Sequence, residues 1–115
     1  MKKTEDEKLP GGITQEQLEA WKLKYGESKV FQVDIPTDDA GKNVVTGYFK
    51  KPNLNIIGAA GKFSATDMVK SGLVLFDGCW LGGDDEVKTD DEVKFSAINA
   101  LNKLFKLRVA TIKNV

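Results

Sequence analysis

The spacing of apolar residues changes twice along this chain, and that change limits the fold more than any single motif does. After a helical stretch that starts at Thr14, the residues Phe31, Val33 and Ile35 alternate with polar ones, which is the period of a half-buried strand. From residue 53 onward the spacing returns to three and four residues, as in amphipathic helices. A strand region placed between helical regions favours an α+β fold.

The first helix is predicted from its start signal and its stop signal. Thr14 and Gln17 have the spacing of a capping box, and Gly26 is placed to end the helix. Trp21 and Tyr25 lie one helical turn apart between these signals. Two interpretations of this aromatic pair stay open: it covers one side of the core, or it forms a recognition stripe for a partner.

An antiparallel β-hairpin is predicted to follow the first helix. Residues 31–35 form its first strand, and residues 36–43 supply the proline, aspartate, glycine and asparagine typical of turns. Residues 44–49 are rich in β-branched and aromatic side chains and form the returning strand. Because an isolated hairpin is marginal in water, it must pack on helices or pair with another chain.

Three helices are predicted after the hairpin. Asn53 caps the first, with Leu54 assigned to its buried side, and Gly61 ends it. Residues 64–67 cap the second, and residues 79–83 terminate it. Four apolar residues of this second helix are predicted to share one buried face: Met68, Val69, Leu73 and Phe76.

The last predicted helix is the longest. Residues 89–92 have the sequence of a capping box with Thr89 as the cap, and basic residues (Lys103, Lys106 and Arg108) complement the dipole near its C-terminal end. Its apolar face includes Leu101, Leu104 and Phe105. Residues 1–12 are charged, end in Pro-Gly-Gly and are predicted to be a flexible leader, so residues 13–115 form a single α+β domain.

Charge and hydropathy narrow the classes of partner. Seventeen basic and 17 acidic residues among 115 give a net charge of zero, which argues against nucleic-acid binding and permits self-association into a homo-oligomer. The lysines at the N-terminus are not followed by an apolar signal segment, and the longest apolar run, residues 73–76, is too short to cross a bilayer. We therefore expect a cytoplasmic protein that does not enter membranes.

The residues that carry chemistry are sparse. The chain has no histidine and one cysteine, which excludes serine–histidine and cysteine–histidine catalysis and leaves no plausible zinc site. Cys79 is expected to be a buried core thiol, and we predict no enzyme activity, no metal and no cofactor. The acidic loop after Trp80 lacks the spacing of a calcium loop. The simpler interpretation is that residues 90–92 start a helix, or that the loop is a partner-facing patch; its acidic residues are Asp84, Asp85, Glu86, Asp90, Asp91 and Glu92.

Two segments carry a resemblance to a known family. Residues 48–52 (YFKKP) followed by an apolar helix, and residues 76–84 (FDGCWLGGD) followed by the helix start at residues 89–91, resemble the small phage tail assembly chaperone-like proteins of phage and prophage tail gene clusters. The resemblance covers about residues 13–115. The long leader, residues 1–12, departs from the compact members of the family.

The resemblance implies a function in binding. Such a chaperone coats apolar helical segments of the tape measure protein in the host cytoplasm and delivers it to tail tube subunits. The implied partner contacts fall on the two terminal helices and the acidic run: Trp21, Tyr25, Trp80, Asp84, Asp85, Glu86, Leu101, Leu104 and Phe105. Two alternatives stay open: a structural virion or assembly subunit that pairs through the hairpin edge, and a small adaptor or inhibitor of a host protein that uses the acidic run.

Overall fold

Helices and strands follow one another in an α+β arrangement, as the changing apolar spacing predicts. The computed structural model describes residues 8–105 and 110–115. Within them, the elements are α1 (Gln15–Tyr25), β1 (Val30–Pro36), β2 (Val44–Lys50), α2 (Leu54–Gly61), α3 (Met68–Cys79), β3 (Trp80–Gly83), α4 (Glu86–Thr89) and α5 (Asp91–Leu104). The predicted N-terminal helix, hairpin and long C-terminal helix are confirmed.

The sheet has three antiparallel strands in the order β1-β2-β3. Strands β1 and β2 pair along their full length, from Val30 with Lys50 to Pro36 with Val44. Strand β3 was not predicted: residues 80–83 were assigned only as the stop of the preceding helix, whereas they pair with β2 as well. A four-residue strand that ends in two glycines has little intrinsic β-propensity, so its formation depends on this long-range pairing.

The hydrophobic core lies between one face of the sheet and the helices α3, α4 and α5. Its buried residues come from all these elements: Ile35, Phe49, Leu75, Phe76, Cys79, Val87, Val93, Ala97, Ile98 and Leu101. The aromatic rings of Phe49 and Phe76 meet edge to face at 5.3 Å between centroids. Burial of these apolar side chains is the main stabilising contribution to a fold of this size.

The opposite face of the sheet is covered by α1 and by the turn before it. The Tyr48 hydroxyl donates a hydrogen bond of 2.8 Å to the carbonyl oxygen of Pro10, and Ile13 is buried. The Trp21 ring lies 5.7 Å from the Tyr48 ring. Residues 10–12 of the predicted leader therefore lie against the sheet, while residues 1–7 lie outside the described residues.

The predicted helix caps at Thr14, at Asn53 and within residues 64–67, where Asp67 caps α3, are confirmed, and the one at Thr89 differs. Both hydrogen bonds of the capping box at Thr14 are present, and Asn53 caps α2. The capping box predicted at Thr89 is wrong, because α4 extends to Thr89 and its backbone is helical there. The cap of α5 is Asp90, whose carboxylate accepts from the backbone N–H groups of Glu92 and Val93. The basic residues at positions 106 and 108 lie outside the described residues.

Three residues predicted to be buried are exposed. Leu54 is 81% exposed, Met68 78% and Val69 62%. Met68 and Val69 are exposed because the tight contact between α3 and α5 lies one turn further along α3, where Gly72 packs against Ile98. The first turn of α3 therefore extends beyond the core, whereas Phe76 lies within it.

Candidate functional site: an apolar groove between α3 and α5

An apolar groove opens between the first turn of α3 and the middle of α5. Its volume is about 170 Å³, and its walls are Met68, Val69, Phe95, Ile98, Asn99 and Asn102. Phe95 is 56% exposed and faces the exposed Met68 and Val69 across the groove. A cluster of large apolar side chains at the surface of a small domain is typical of an interaction site.

The groove follows from the way in which α3 and α5 cross. A β-carbon at Gly72 would lie 2.6 Å from Cγ2 of Ile98, so glycine is needed for the two helices to approach there. Met68 and Val69 lie one turn before this contact and line the groove together with residues of α5. On α5 the walls recur at positions 95, 98, 99 and 102, which is one stripe of a helix.

This arrangement suits the apolar face of a helix. An amphipathic helix docks into an apolar groove through its own apolar anchors at i, i+3, i+4 and i+7. The thioether of Met68 is flexible and polarizable, so it adapts to ligands of different shape. Asn99 and Asn102 offer amide donors and acceptors at the rim, which can satisfy polar groups of a bound segment.

The two aromatic residues predicted on α1 are placed on the other side of the sheet from this groove. Trp21 is partly buried, and its ring packs close to Gly82, where a β-carbon would lie 2.9 Å from it. Tyr25 is also partly buried, and the ammonium group of Lys50 lies 5.0 Å from its ring centroid. Trp21 therefore packs on the sheet face opposite the hydrophobic core, and Tyr25 borders a basic surface.

Trp80 belongs to the aromatic part of the core. Its ring is stacked on Phe76 at 5.6 Å between centroids and meets Phe49 edge to face at 5.5 Å. The ammonium group of Lys88 lies 5.7 Å from the centroid of the Trp80 ring. Trp80 therefore contributes mainly to packing, with part of its surface left accessible.

The three predicted residues near the end of α5 differ in exposure. Leu101 has no exposed surface and is a core residue, so a partner cannot reach it in this conformation. Leu104 is 44% exposed. Phe105 is partly buried, and its ring meets that of Phe31 on β1 edge to face at 5.4 Å.

Of the three predicted acidic residues after β3, Asp84 forms hydrogen bonds within the fold, whereas Asp85 and Glu86 are exposed. Oδ2 of Asp84 accepts a 2.9 Å hydrogen bond from the backbone N–H of Thr46, and the Asp84 N–H donates to the Thr46 carbonyl oxygen. Asp85 and Glu86 are exposed. Glu86 faces an acidic cleft beside the hairpin turn, whose other acidic walls are Asp38, Asp39, Asp90 and Glu92.

Asp84 therefore has a structural role that can be separated from partner binding. Replacing Asp84 with alanine is expected to lower the free energy of unfolding by about 2 kcal/mol, because the N–H of the buried Thr46 loses its acceptor. Asp85→Ala is the matched control and should stay within about 0.5 kcal/mol of wild type. Urea unfolding measures both, and equal effects of the two substitutions would contradict this role.

The buried ionisable groups have environments that oppose ionisation. Burial raises the pKa of the Cys79 thiol from 9.0 to about 11, an effect that Lys50 partly offsets. Burial, followed by the charges of Asp34 and Asp84, raises the pKa of Tyr48. A thiol with a raised pKa is a poor nucleophile, because the thiolate is the reactive form.

The structure describes residues 8–105 and 110–115. They contain no group of three or more cysteine, aspartate or glutamate side chains that could hold a metal ion. Among them, each helix is too short or too polar to cross a membrane.

The sequence interpretation missed the groove, although one signal for it was present. Phe95 is an aromatic residue on α5 that lies out of phase with the buried stripe of Val93, Ala97 and Leu101. Met68 and Val69 gave no comparable signal, because their spacing fits the buried face of α3.

Comparisons with known proteins leave the site to be interpreted from its geometry and from the resemblance described above. A scan against protein-family models and searches of curated proteins and of solved structures found no match.

Proposed function

We propose that this protein is a non-enzymatic assembly chaperone of the phage tail type, which binds apolar helical segments of a tape measure or tail protein. The α3–α5 groove is the binding site in this proposal. The observation that carries it is the exposure of three large apolar side chains, Met68, Val69 and Phe95, around one apolar groove. Binding of this kind would take place in the cytoplasm of the host cell, before tail assembly.

The properties of the groove fit a chaperone better than a permanent interface. It is small and bordered by polar amides, and its walls include a flexible methionine. Such a surface can accept several related helices without being specific for one sequence. In this proposal the groove covers apolar helical segments of the tape measure protein until that protein is delivered to the tail tube subunits.

The chemistry of the described residues supports a function without catalysis. Cys79 is buried among apolar side chains, and its pKa is raised. The chain contains no histidine that could activate it. The groove residues are apolar or amides, none of which transfers protons at neutral pH.

Co-expression tests the proposal. The wild-type chain should raise the soluble yield of the tape measure protein from its own phage or prophage and should co-purify with it. Phe95→Lys should abolish both effects, because it places a charge where apolar contact is required.

Leu23→Lys is the matched control. Leu23 is 89% exposed on α1, so the same change of charge there should leave binding intact. Equal solubilisation by wild type and Phe95→Lys would contradict the assignment of the groove, and a lack of any effect of the wild type would contradict the proposed function.

A further inference from the structure

We infer that the free edge of β1 binds a second copy of this chain, and that the two β1 strands pair antiparallel about a two-fold axis at Val33. The inference is independent of the proposed function, because the β1 edge shares no residue with the α3–α5 groove. Three observations support it. Successive residues of β1 direct their backbone N–H and C=O groups alternately towards β2 and towards the open edge, an alternation called here the parity of β1. The other two are the residues that this parity brings opposite one another and the charges at the two ends of the strand.

The parity of β1 fixes which backbone groups are free. The hydrogen bonds from Lys51 N–H to the Lys29 carbonyl and from Thr37 N–H to the Asn43 carbonyl join directly opposed residues. Hydrogen-bonded pairs alternate along an antiparallel ladder, so the odd-numbered residues of β1 bond to β2. The backbone groups of Gln32 and Asp34 therefore point to the open edge, and within the described residues no other strand pairs there.

A two-fold axis at Val33 is compatible with this parity. It places Gln32 of one copy opposite Asp34 of the other, and both residues have outward backbone groups that can exchange both hydrogen bonds. Val30 comes opposite Pro36, which lacks an N–H and so ends the paired segment. An axis at Asp34 would instead oppose two carboxylates, which is unfavourable.

The side chains that meet in this register are complementary. On one face of the joined sheets, the amide of Gln32 lies opposite the carboxylate of Asp34 from the second copy. The same two groups already form a 3.0 Å hydrogen bond within one chain. On the other face, Phe31 lies opposite Ile35 of the second copy, and Val33 meets its own copy across the axis. Polar side chains therefore meet polar ones on one face, and apolar side chains meet apolar ones on the other.

The charges at the ends of β1 select the antiparallel direction. The hairpin turn after β1 is net acidic, with Asp38 and Asp39 against Lys42. The first residue of β1 has a net basic surrounding, with Lys29, Lys50 and Lys51 against Glu27. Antiparallel pairing places the acidic turn of each copy beside the basic end of the other, and parallel pairing would bring like charges together. The zero net charge of the chain adds no long-range repulsion between copies.

Sedimentation velocity over a wide range of protein concentration tests the inference. The wild type should shift from monomer to dimer as concentration rises to the millimolar range, and added salt should weaken the dimer. Gln32→Pro should remain monomeric, because it removes an outward N–H that β2 does not use. Gln32→Ala is its matched control: it keeps that N–H and should still dimerise, more weakly than wild type because the amide opposite Asp34 is lost. A wild type that is monomeric at millimolar concentration, or a Gln32→Pro variant that dimerises as wild type does, would overturn the inference.

A cross-linking measurement decides the register even if Gln32→Pro does not fold. Residues at a two-fold axis in a non-hydrogen-bonded pair have Cα atoms about 4.5 Å apart, which is within the range of a disulfide. Val33→Cys should therefore form a covalent dimer on oxidation. Val45→Cys, one strand further from the axis, should not. No cross-link at position 33, or equal cross-linking at both positions, would refute this arrangement.

Discussion

Replacing Gly83 with alanine is expected to lower the free energy of unfolding by about 3 kcal/mol, combining the costs of a positive φ and of an overpacked contact. A β-carbon at this position would lie 2.8 Å from the Cα of Gly47, and it would overlap the carbonyl oxygen of Thr46. These atoms belong to the backbone of β2, so a side-chain rotation cannot relieve the contact. The φ angle of Gly83 is +135°, which L-residues rarely adopt.

Gly12→Ala is the control for Gly83→Ala, because it separates the cost of backbone strain from the cost of a β-carbon that overlaps neighbouring atoms. Gly12 has a φ angle of +77°, but a β-carbon there meets no atom within 4 Å. Gly12→Ala should therefore cost only about 1 kcal/mol, the strain of a left-handed L-residue. Urea unfolding followed by circular dichroism gives both values. Similar losses for the two variants would contradict the close β2–β3 approach.

The largest core effect is expected at Phe49. Phe49→Ala should lower the free energy of unfolding by about 4 kcal/mol, the usual cost of a large cavity. Phe49 has no exposed surface, and its ring contacts those of Phe76 and Trp80 edge to face. The substitution removes apolar burial and both aromatic contacts together.

Phe95→Ala is the matched control for Phe49→Ala, because it makes the same chemical change at a surface position. Phe95 is 56% exposed, so stability should change by about 0.5 kcal/mol or less. Chemical unfolding of the two variants measures the difference. An equally large loss at Phe95 would mean that this residue supports the fold, which would weaken its assignment to a binding groove.

The fold was predictable where signals are local. Alternation at Phe31, Val33 and Ile35 predicted β1, and the side chains at Thr14 and Asn53 predicted two helix starts, because each signal acts within a few residues. Strand β3 was not predictable in this way. Its residues become a strand only because Gly82 and Gly83 allow close approach to β2, more than thirty residues earlier in the chain.

The candidate site could not be predicted from local signals, because it depends on tertiary packing even more than β3 does. The exposure of Met68 and Val69 is set by the position of Gly72 against Ile98, which helical periodicity within α3 does not encode. Helical periodicity also led to the assignment of Leu101 to a partner surface, although Leu101 lies in the core. An apolar stripe predicts which face of a helix is in contact, but whether a neighbouring element covers it is decided by the crossing of the two helices.

The most direct test of the central claim is a nuclear magnetic resonance titration of the isotopically labelled protein with a leucine-rich amphipathic helical peptide. The account predicts that amide shift changes cluster on the groove walls, at residues 68 and 69 of α3 and residues 95–102 of α5, and that Phe95→Lys abolishes them. A scrambled peptide of the same composition should cause no such changes. Shift changes centred on Trp21 and Tyr25 on the other side of the sheet, or no changes at all, would contradict a helix-binding groove between α3 and α5.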